Sequence, residues 1–452
     1  MISQFFKLSD LDPERLHART VDGVIVVDGY FINIDQKCPL CESFDVIKNG
    51  HKKKTVYHLV YSTYLIKVIL HIQRFKCSNC GNVFFENDTF TAPNLNISKE
   101  SLIAIMRDLL LPNETFHSVG VRYHMSRQHI RDIFDASYYY DRPQTLPDIL
   151  SIDEKHVNKS MTDKSYLCVL LDFRTKEIFD IYRCRNKDYL SHKFGLYPRE
   201  ERLKVKYITM DMWKSYLDLA IAYFPKAIVA IDSFHIIENL NRCITKLRCS
   251  IQAKYNKNTE QIEDNHIFYY FLKKYDYFFT MDYNDISFKI KVPLYNTYWS
   301  KYEIRKFLFS IDDRLELAYN LVTAYRDFNK TATIETAESE LDNLIYQLKR
   351  SNISYFDDFI ETLITWKQYI VNSFITIPDA YTVPRKKDEI PMPRRLSNGP
   401  IEGRNSIIEQ IYINGKGFQD YEIFRKRVIY VSKKQIKICK KRKKIRKKGA
   451  KK

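Results

Sequence analysis

The sequence predicts a multidomain α+β protein, and three observations carry that expectation. Two Cys-x-x-Cys pairs, Cys38/Cys41 and Cys77/Cys80, flank a segment rich in Val, Ile, Tyr and Leu. Residues 98–135 then change to helical periodicity. Beyond residue 148, short β-type runs end repeatedly in an aspartate before a long helical pattern interrupts them. Together these read as a zinc ribbon, a helix-turn-helix, and a ribonuclease H-like α/β core interrupted by an all-α insertion.

A chain of 452 residues exceeds one core of usual size and fits two to four domains. Its 45% hydrophobic content allows sizeable cores. The net charge of +18 is concentrated: residues 433–452 hold 13 Lys or Arg and no acid, leaving the rest at +5. Such a block repels itself and is drawn to phosphate backbones by counterion release. Its plainer reading is a solubilising end. Met1–Asp12 contains no apolar run of signal-peptide length, and no stretch of about 18 apolar residues occurs, so no membrane span is expected. The nine cysteines then read as cytosolic, where a cluster points to metal before disulfides.

Residues 1–36 read as a leader with one apolar run, Val24–Val27. Residues 37–90 are the predicted ribbon, with Thr55–Phe75 as two strands of a hairpin. Cys-x-x-Cys lets two sulfurs reach one ion, and four thiolates suit tetrahedral Zn²⁺. Cys38, Cys41, Cys77 and Cys80 are the expected ligands, a closed set with no catalytic position. Replacement of one cysteine by His51, His58 or His71 stays open, as do two unrelated pairs of buried cysteines.

Residues 98–140 predict three helices, Ser101–Leu111, Thr115–Tyr123 and Arg127–Phe134, with His124-Met125-Ser126 as the turn. Gly120 fills the small-residue slot where helices cross, and Ser126 caps the third helix. Val119, Tyr123, Met125, Ile130 and Ile133 take the packing positions. Arg127, Gln128, His129 and Arg131 then face a DNA major groove. His124 stands where glycine is more usual.

Residues 141–148 contain Pro143 and Pro147 and read as a linker. Leu150–Ile152, Tyr166–Phe173 and Ile178–Cys184 predict a three-strand meander. Val205–Thr209, helix Ser215–Phe224 and Ala227–Ile231 follow as strand–helix–strand. That order suits a ribonuclease H-like sheet over 148–243. Residues 244–395 form the all-α insertion, with Trp299 and Trp366 in its core rather than on a DNA-facing platform. Residues 396–432 complete the α/β core, and 433–452 are the tail.

Asp153, Asp211 and Asp232 each follow a strand, and Glu402 opens a helix. Carboxylates at strand ends reach a ligand at the sheet edge. Asp153, Asp211 and Glu402 are the expected triad for two Mg²⁺ or Mn²⁺ ions, hard cations that want oxygen ligands. Such a site suits in-line displacement at phosphorus. Asp232 competes with Asp211 for the second place, and Asp211 is preferred. Strand alternation aims Glu154 away from Asp153.

Further motifs run the length of the chain. They include Ile152-Asp153-Glu154, Met210-Asp211-Met212 with Tyr216, and Phe224-Pro225-Lys226-Ala227. Ile231-Asp232-Ser233-Phe234-His235-Ile236 with Asn239 comes next. The most specific is Leu396-Ser397-Asn398-Gly399-Pro400-Ile401-Glu402-Gly403-Arg404-Asn405, followed by Gly417-Phe418 and Phe424-Arg425-Lys426-Arg427. With the two cysteine pairs and the helical segment, this series resembles the IS-L-three family of bacterial insertion-sequence transposases. The resemblance implies a DDE transposase whose helical insertion fills the 191 residues separating Asp211 and Glu402. It implies Asp153, Asp211 and Glu402 as the metal-binding triad. It places Asp232 and His235 as a D-x-x-H element beside the site, with Asn398 and Asn405 as neighbours. Ser406 departs from a second Asn common in such proteins. The implied partner is double-stranded DNA with terminal inverted repeats, bound by a dimer or larger synaptic homo-oligomer. The implied location is the bacterial cytoplasm, at the nucleoid. Two other classes stay open: a DNA-binding regulator derived from a decayed transposase, and a ribonuclease H-like nuclease.

Overall fold

A computed structural model describes residues 7–32, 36–58, 65–157, 165–255, 263–281, 289–381, 393–416, 418 and 420–433. The basic tail beyond Lys433 lies outside the described residues. The fold is mixed α and β, and the chain divides into two compact units. One holds residues up to Arg142, Val157–Ser165 and those from Arg404; the other holds Pro143–His156 and Tyr166–Gly403.

The first unit carries a five-stranded sheet. Its strands are β1 (His17–Val21), β2 (Val24–Tyr30), β3 (Val46–His58), β4 (Ile66–Cys77) and β5 (Val83–Phe85), in the order β1-β2-β4-β3 with β5 also on β4. The expected hairpin is longer than its apolar stretch: β3 and β4 pair from Val46↔Cys77 to His58↔Ile66. Gly50, at φ +77°, sits in the bulge between Lys48 and His51. The leader expected over 1–36 is corrected here. Its β2 pairs parallel with β4, and Leu8, Leu11, Leu16, Val27 and Phe31 join Val56, Val68 and Leu70 in one core. That pairing is made far along the chain, so the short Val24–Val27 run gave no local sign of it.

Three helices follow: α1 (Lys99–Asp108), α2 (Phe116–Arg122) and α3 (Arg127–Ser137). Their starts follow from side-chain caps. Thr115 and Ser118 make a reciprocal capping box, and Ser126 accepts from the His129 amide at 3.1 Å. The turn closes because His124 takes a left-handed φ of +54°. A Cβ on Gly120 would lie 2.6 Å from the Met125 carbonyl oxygen, which is backbone and cannot yield cheaply. Gly120→Ala is therefore expected to cost about 1–3 kcal/mol, as overpacking does, and urea unfolding would measure it. An unchanged midpoint would show that the turn opens freely.

The second unit is built on another five-stranded sheet. β6 (Ile149–His156), β7 (Tyr166–Asp172) and β8 (Glu177–Tyr182) form an antiparallel meander. After α4 (Lys187–Gly195) and α5 (Arg199–Arg202), β9 (Tyr207–Met210) joins parallel to β6. Helix α6 (Lys214–Tyr223) leads to β10 (Ile228–Ile231), parallel to β9, and α7 (Ser233–Ala253) follows. The order is β10-β9-β6-β7-β8. One face contributes Leu150, Ile152 and Leu170 to a large core; the other covers Ile149, Phe173 and Ala230 with Ile377 and Leu396.

The long helical region contains α8 (Glu263–Lys274), α9 (Lys301–Ile311), α10 (Asp313–Thr331), α11 (Ala337–Arg350) and α12 (Asp357–Asn372). It is not all-α as expected. β11 (Lys289–Val292) pairs with β12 (Thr297–Ser300), and β13 (Thr376–Tyr381) with β14 (Pro393–Arg395). Lys289-Ile290-Lys291-Val292 does alternate, but four residues is the shortest run that can mark a strand, and three-residue β14 falls below it. Nor does an insertion begin at residue 244, because α7 runs unbroken through it and one core continues from Leu150 to Phe374. Trp366 lies in that core, whereas Trp299 is partly exposed and stacks on Tyr295 at 5.3 Å.

Helix α13 (Gly399–Asn414) spans the division between the units, and α14 (Tyr421–Lys433) belongs to the first. The expectation that 396–432 closes the α/β core thus holds no further than Gly403. Tyr430 of α14 packs on Phe134 and Tyr138 and donates to the Met106 carbonyl at 2.8 Å. Its aromatic and basic residues match the three-helix segment, a fit that no local pattern reveals. No described helix is long and apolar enough to cross a membrane.

Candidate active site and metal centre

Register brings the acids together. Ser151 of β6 pairs with Thr209 of β9, so Asp153 and Asp211, each two residues on, reach the same level. Ile231 of β10 pairs with Met210, which sets Asp232 beside Asp211. Asp211 and Asp232 thus stand just beyond β9 and β10 as expected, level with Asp153, which does not end its strand but lies within β6, because pairing with β7 carries β6 on to His156. Beneath them the Thr209 hydroxyl donates to Ser151 Oγ at 2.7 Å.

Asn398 ties the fourth acid to this edge. It is 1% exposed and immediately precedes α13. Its amide N–H donates to Asp232 Oδ1 at 3.2 Å, and its carbonyl oxygen accepts from Ile401 and Glu402. Its side-chain Nδ2 donates to the Ile152 carbonyl at 3.2 Å and to Asp211 Oδ1 at 3.1 Å. Those two acceptors fix which way the amide faces. Glu402 stands exposed one turn into the helix. Asn398→Ala should orphan the buried Ile152 carbonyl and cost about 1–3 kcal/mol in denaturant unfolding. A cost near zero would mean that the bridge is dispensable.

The charges interact strongly. Burial, and then the neighbouring Asp211 charge, push the Asp153 carboxyl up to about 8. Burial also raises Asp232, and partial burial followed by the charge of Asp232 raises Glu402. His235 Nε2 lies 2.9 Å from Asp211 Oδ2, and that hydrogen bond lifts the imidazole to about 9. Because the folded value exceeds the ordinary 6.5, this pair's contribution is full below 6.5 and lost as pH rises through about 9. His235→Gln should therefore flatten the fall in stability across that window, read from urea midpoints at three pH values. An identical slope in the variant would discount the pair.

Asp232 is otherwise committed. Its Oδ2 accepts from the Phe234 amide at 3.2 Å, which makes it the N-cap of α7. Glu154 turns away from Asp153 and pairs with Arg185, whose guanidinium lies 3.9 Å from the Tyr166 ring centroid and 4.8 Å from that of Trp213. No sequence pattern announced Arg185. Its cation–π contacts brace Trp213, two residues beyond Asp211. Asn405 falls in the other unit. Arg127, Gln128 and His129 are exposed on the first turn of α3, with Gln128 donating to Asp132, while Arg131 is ion-paired with Asp420.

The four cysteines of the first unit form a second centre. Cys38 and Cys80 sulfurs are 3.6 Å apart, Cys41 and Cys77 3.5 Å, and all four lie within 4.8 Å of one another. The two loops repeat one geometry. The Glu42 and Gly81 amides, both at left-handed φ, bond back to the carbonyls of Cys38 and Cys77 at 2.9 and 3.0 Å. The backbone N–H groups of Cys41 and Leu40 hold the Cys38 thiol down to about 6. Four sulfurs about 2.3 Å from a tetrahedral ion would stand roughly 3.8 Å apart, so the set fits one metal ion. Two unrelated cysteine pairs are thereby ruled out. Nor does a histidine substitute: His58 bonds Ser98 and His71 bonds Asp28. Among the described residues this is the one group of ligand atoms so closely gathered. The acids stand wider.

No curated protein matches the chain. A family model described as a transposase, that of the IS-L-three DDE enzymes, matches residues 150–383, just over half of the chain. The chain belongs to the IS-L-three family of DDE transposases.

Proposed function

We propose that the protein is an active DNA transposase that binds terminal inverted repeats, cleaves at them and transfers strands. The observation that carries this reading is the alignment of Asp153 and Asp211 at one sheet edge, with Glu402 anchored there through Asn398. The five-stranded order supports a ribonuclease H-like core. Asp153, Asp211 and Glu402 are the metal-binding triad. Asp232, with both oxygens engaged by backbone amides, braces the edge.

The residues present fit divalent cations. Asp153 and Asp211 repel each other, and Asn398 Oδ1 is buried without a hydrogen-bond partner beside them. Divalent ions, when bound, supply the Lewis acidity that activates the attacking oxygen and stabilises the leaving one. The chain's own residues do the rest. Asn398 orients one oxygen of Asp211 while His235 holds a proton against the other. Glu402 approaches from the helix start. A Mg²⁺ or Mn²⁺ pair suits these oxygen donors.

In the first unit, α2 and α3 are a helix-turn-helix, with Arg127, Gln128 and His129 reading bases from the exposed first turn of α3. Arg131, paired with Asp420, is better suited to holding α3 in place. The four cysteines hold a structural Zn²⁺. Pairing two element ends calls for a homodimer or larger assembly.

The test uses purified protein and a DNA fragment carrying the ends that flank its coding region. With Mg²⁺ or Mn²⁺, cuts should map to the repeat ends and vanish in Asp153→Ala. Specific binding without cuts would instead favour a regulator. Cutting of RNA hybrids without end specificity would favour a nuclease.

A further inference from the structure

We propose that a cavity lined by residues of α2, α3, α13 and α14, with Gly415, Lys416 and Phe418 between the last two, seats a phosphate group of the DNA backbone. The proposal rests on the DNA-binding reading above and extends it to a site for which the sequence analysis gave no role.

The cavity holds about 280 Å³, far more than the roughly 30 Å³ of one water. Its lining is cationic: Arg127, Lys416 and Arg427, with His117 beside them. Its one acid, Glu114, is already used, because it accepts from the Ser118 hydroxyl at 2.6 Å and pairs with Arg122. A surplus of positive charge therefore faces the space.

Arg427 is the unusual member. It is 2% exposed, on a helix whose neighbours are apolar core residues. Its Nη2 donates to the Leu111 carbonyl at 2.9 Å and to the Glu114 carbonyl at 3.1 Å. Its Nη1 is buried with no hydrogen-bond partner, and Glu114 acts on the guanidinium only through space, without a direct ion pair among the described residues. Burial lowers its pKa only to about 10, so it stays charged at neutral pH. The carboxylate that acts on it, Glu114, is shared with Arg122, so the buried charge is only partly compensated, and an anion in the cavity offsets the rest of that cost. Arginine is also the side chain best matched to phosphate.

Location selects the source of the phosphate. Arg127 lines the cavity and is the first residue of α3, whose first turn carries the base-facing side chains. Phosphate contacts fix the register of a protein on a duplex, while base contacts read its sequence. A phosphate clamped here would set α3 at a constant depth in the groove.

The test uses the full chain, with Lys416→Gln and Arg127→Gln at the rim and Arg427→Met within. Inorganic phosphate is compared with chloride at matched ionic strength by thermal unfolding. Duplex binding is followed against KCl. Phosphate should raise the melting temperature of the parent, and each folded variant should lose that shift. On duplex, Lys416→Gln should reduce the slope of log affinity against log salt by about one, equally on end and random sequences. A phosphate shift lost in the variants with an unchanged duplex slope would assign the cavity to free phosphate and overturn the DNA claim. No phosphate shift and an unchanged slope would overturn the proposal outright. If the parent binds no DNA, the DNA-binding reading fails by itself, and this claim about the backbone falls with it. If Arg427→Met fails to fold, the rim variants decide.

Discussion

Glu402→Gln is expected to bind element ends as the parent does while cutting them at least on the order of 10²–10³-fold more slowly, the scale of losing one preorganised electrostatic contact. The reasoning starts from what Glu402 does not do. Helix α13 is anchored by Asn398, whose backbone and side chain make the bonds to Asp232, Ile152 and Asp211. Glu402 is exposed, so the amide should change folding stability by less than about 0.5 kcal/mol. Its charge is felt at the site, since Asp232, His235 and Asp211 all shift its carboxyl. The isosteric amide keeps size and removes charge. Single-turnover cleavage with Mg²⁺, beside a gel-shift titration, separates the two effects. Cutting at the parental rate would take Glu402 out of the metal site. Asp211→Asn offers a contrast, because Asp211 is the main cause of the raised His235 value. There both cleavage and the imidazole titration should change.

Removing metal from the cysteine centre should have the largest structural effect. In small zinc-binding peptides the ion contributes about 10–16 kcal/mol to folding. The loss here should be smaller, because the same sheet also buries Leu8, Val27, Val56, Ile66, Val68 and Leu70. The expected result is local: the two knuckles and the ends of β3 and β4 near Val46 and Cys77 should open. Cys77→Ser, or a strong chelator, should expose that region to protease and lower the first melting transition by several degrees. End-specific DNA binding should weaken with it. Elemental analysis should find one zinc per chain in the parent. A metal-free parent with an unchanged melting curve after chelation would remove the structural zinc.

The parts of this molecule that depend on near neighbours were legible early. Ser126 announced the start of α3, because a cap is a bond across three residues; the Thr115–Ser118 box, equally local, was not picked out. The Cys-x-x-Cys pairs announced a metal centre, because two residues of spacing let two sulfurs share one ion. The acids within β6 and after β9 and β10 could be picked out singly. Their convergence could not, since it depends on parallel register between strands more than fifty residues apart. The resemblance supplied Asn398 as a neighbour but not the five bonds by which it holds the helix to the sheet.

By itself, then, the sequence determined the cysteine cluster, the Ser126 cap and the family motifs, all of them local arrangements that chain spacing dictates. Tertiary structure alone decided that the presumed leader is part of a sheet and that α14 sides with the three-helix segment. It also decided that Asp232 has both oxygens engaged, and that Arg427 is buried with one guanidinium nitrogen unpartnered. Each of these follows from which distant surfaces meet, and burial and hydrogen-bond partners are properties of that meeting rather than of the chain.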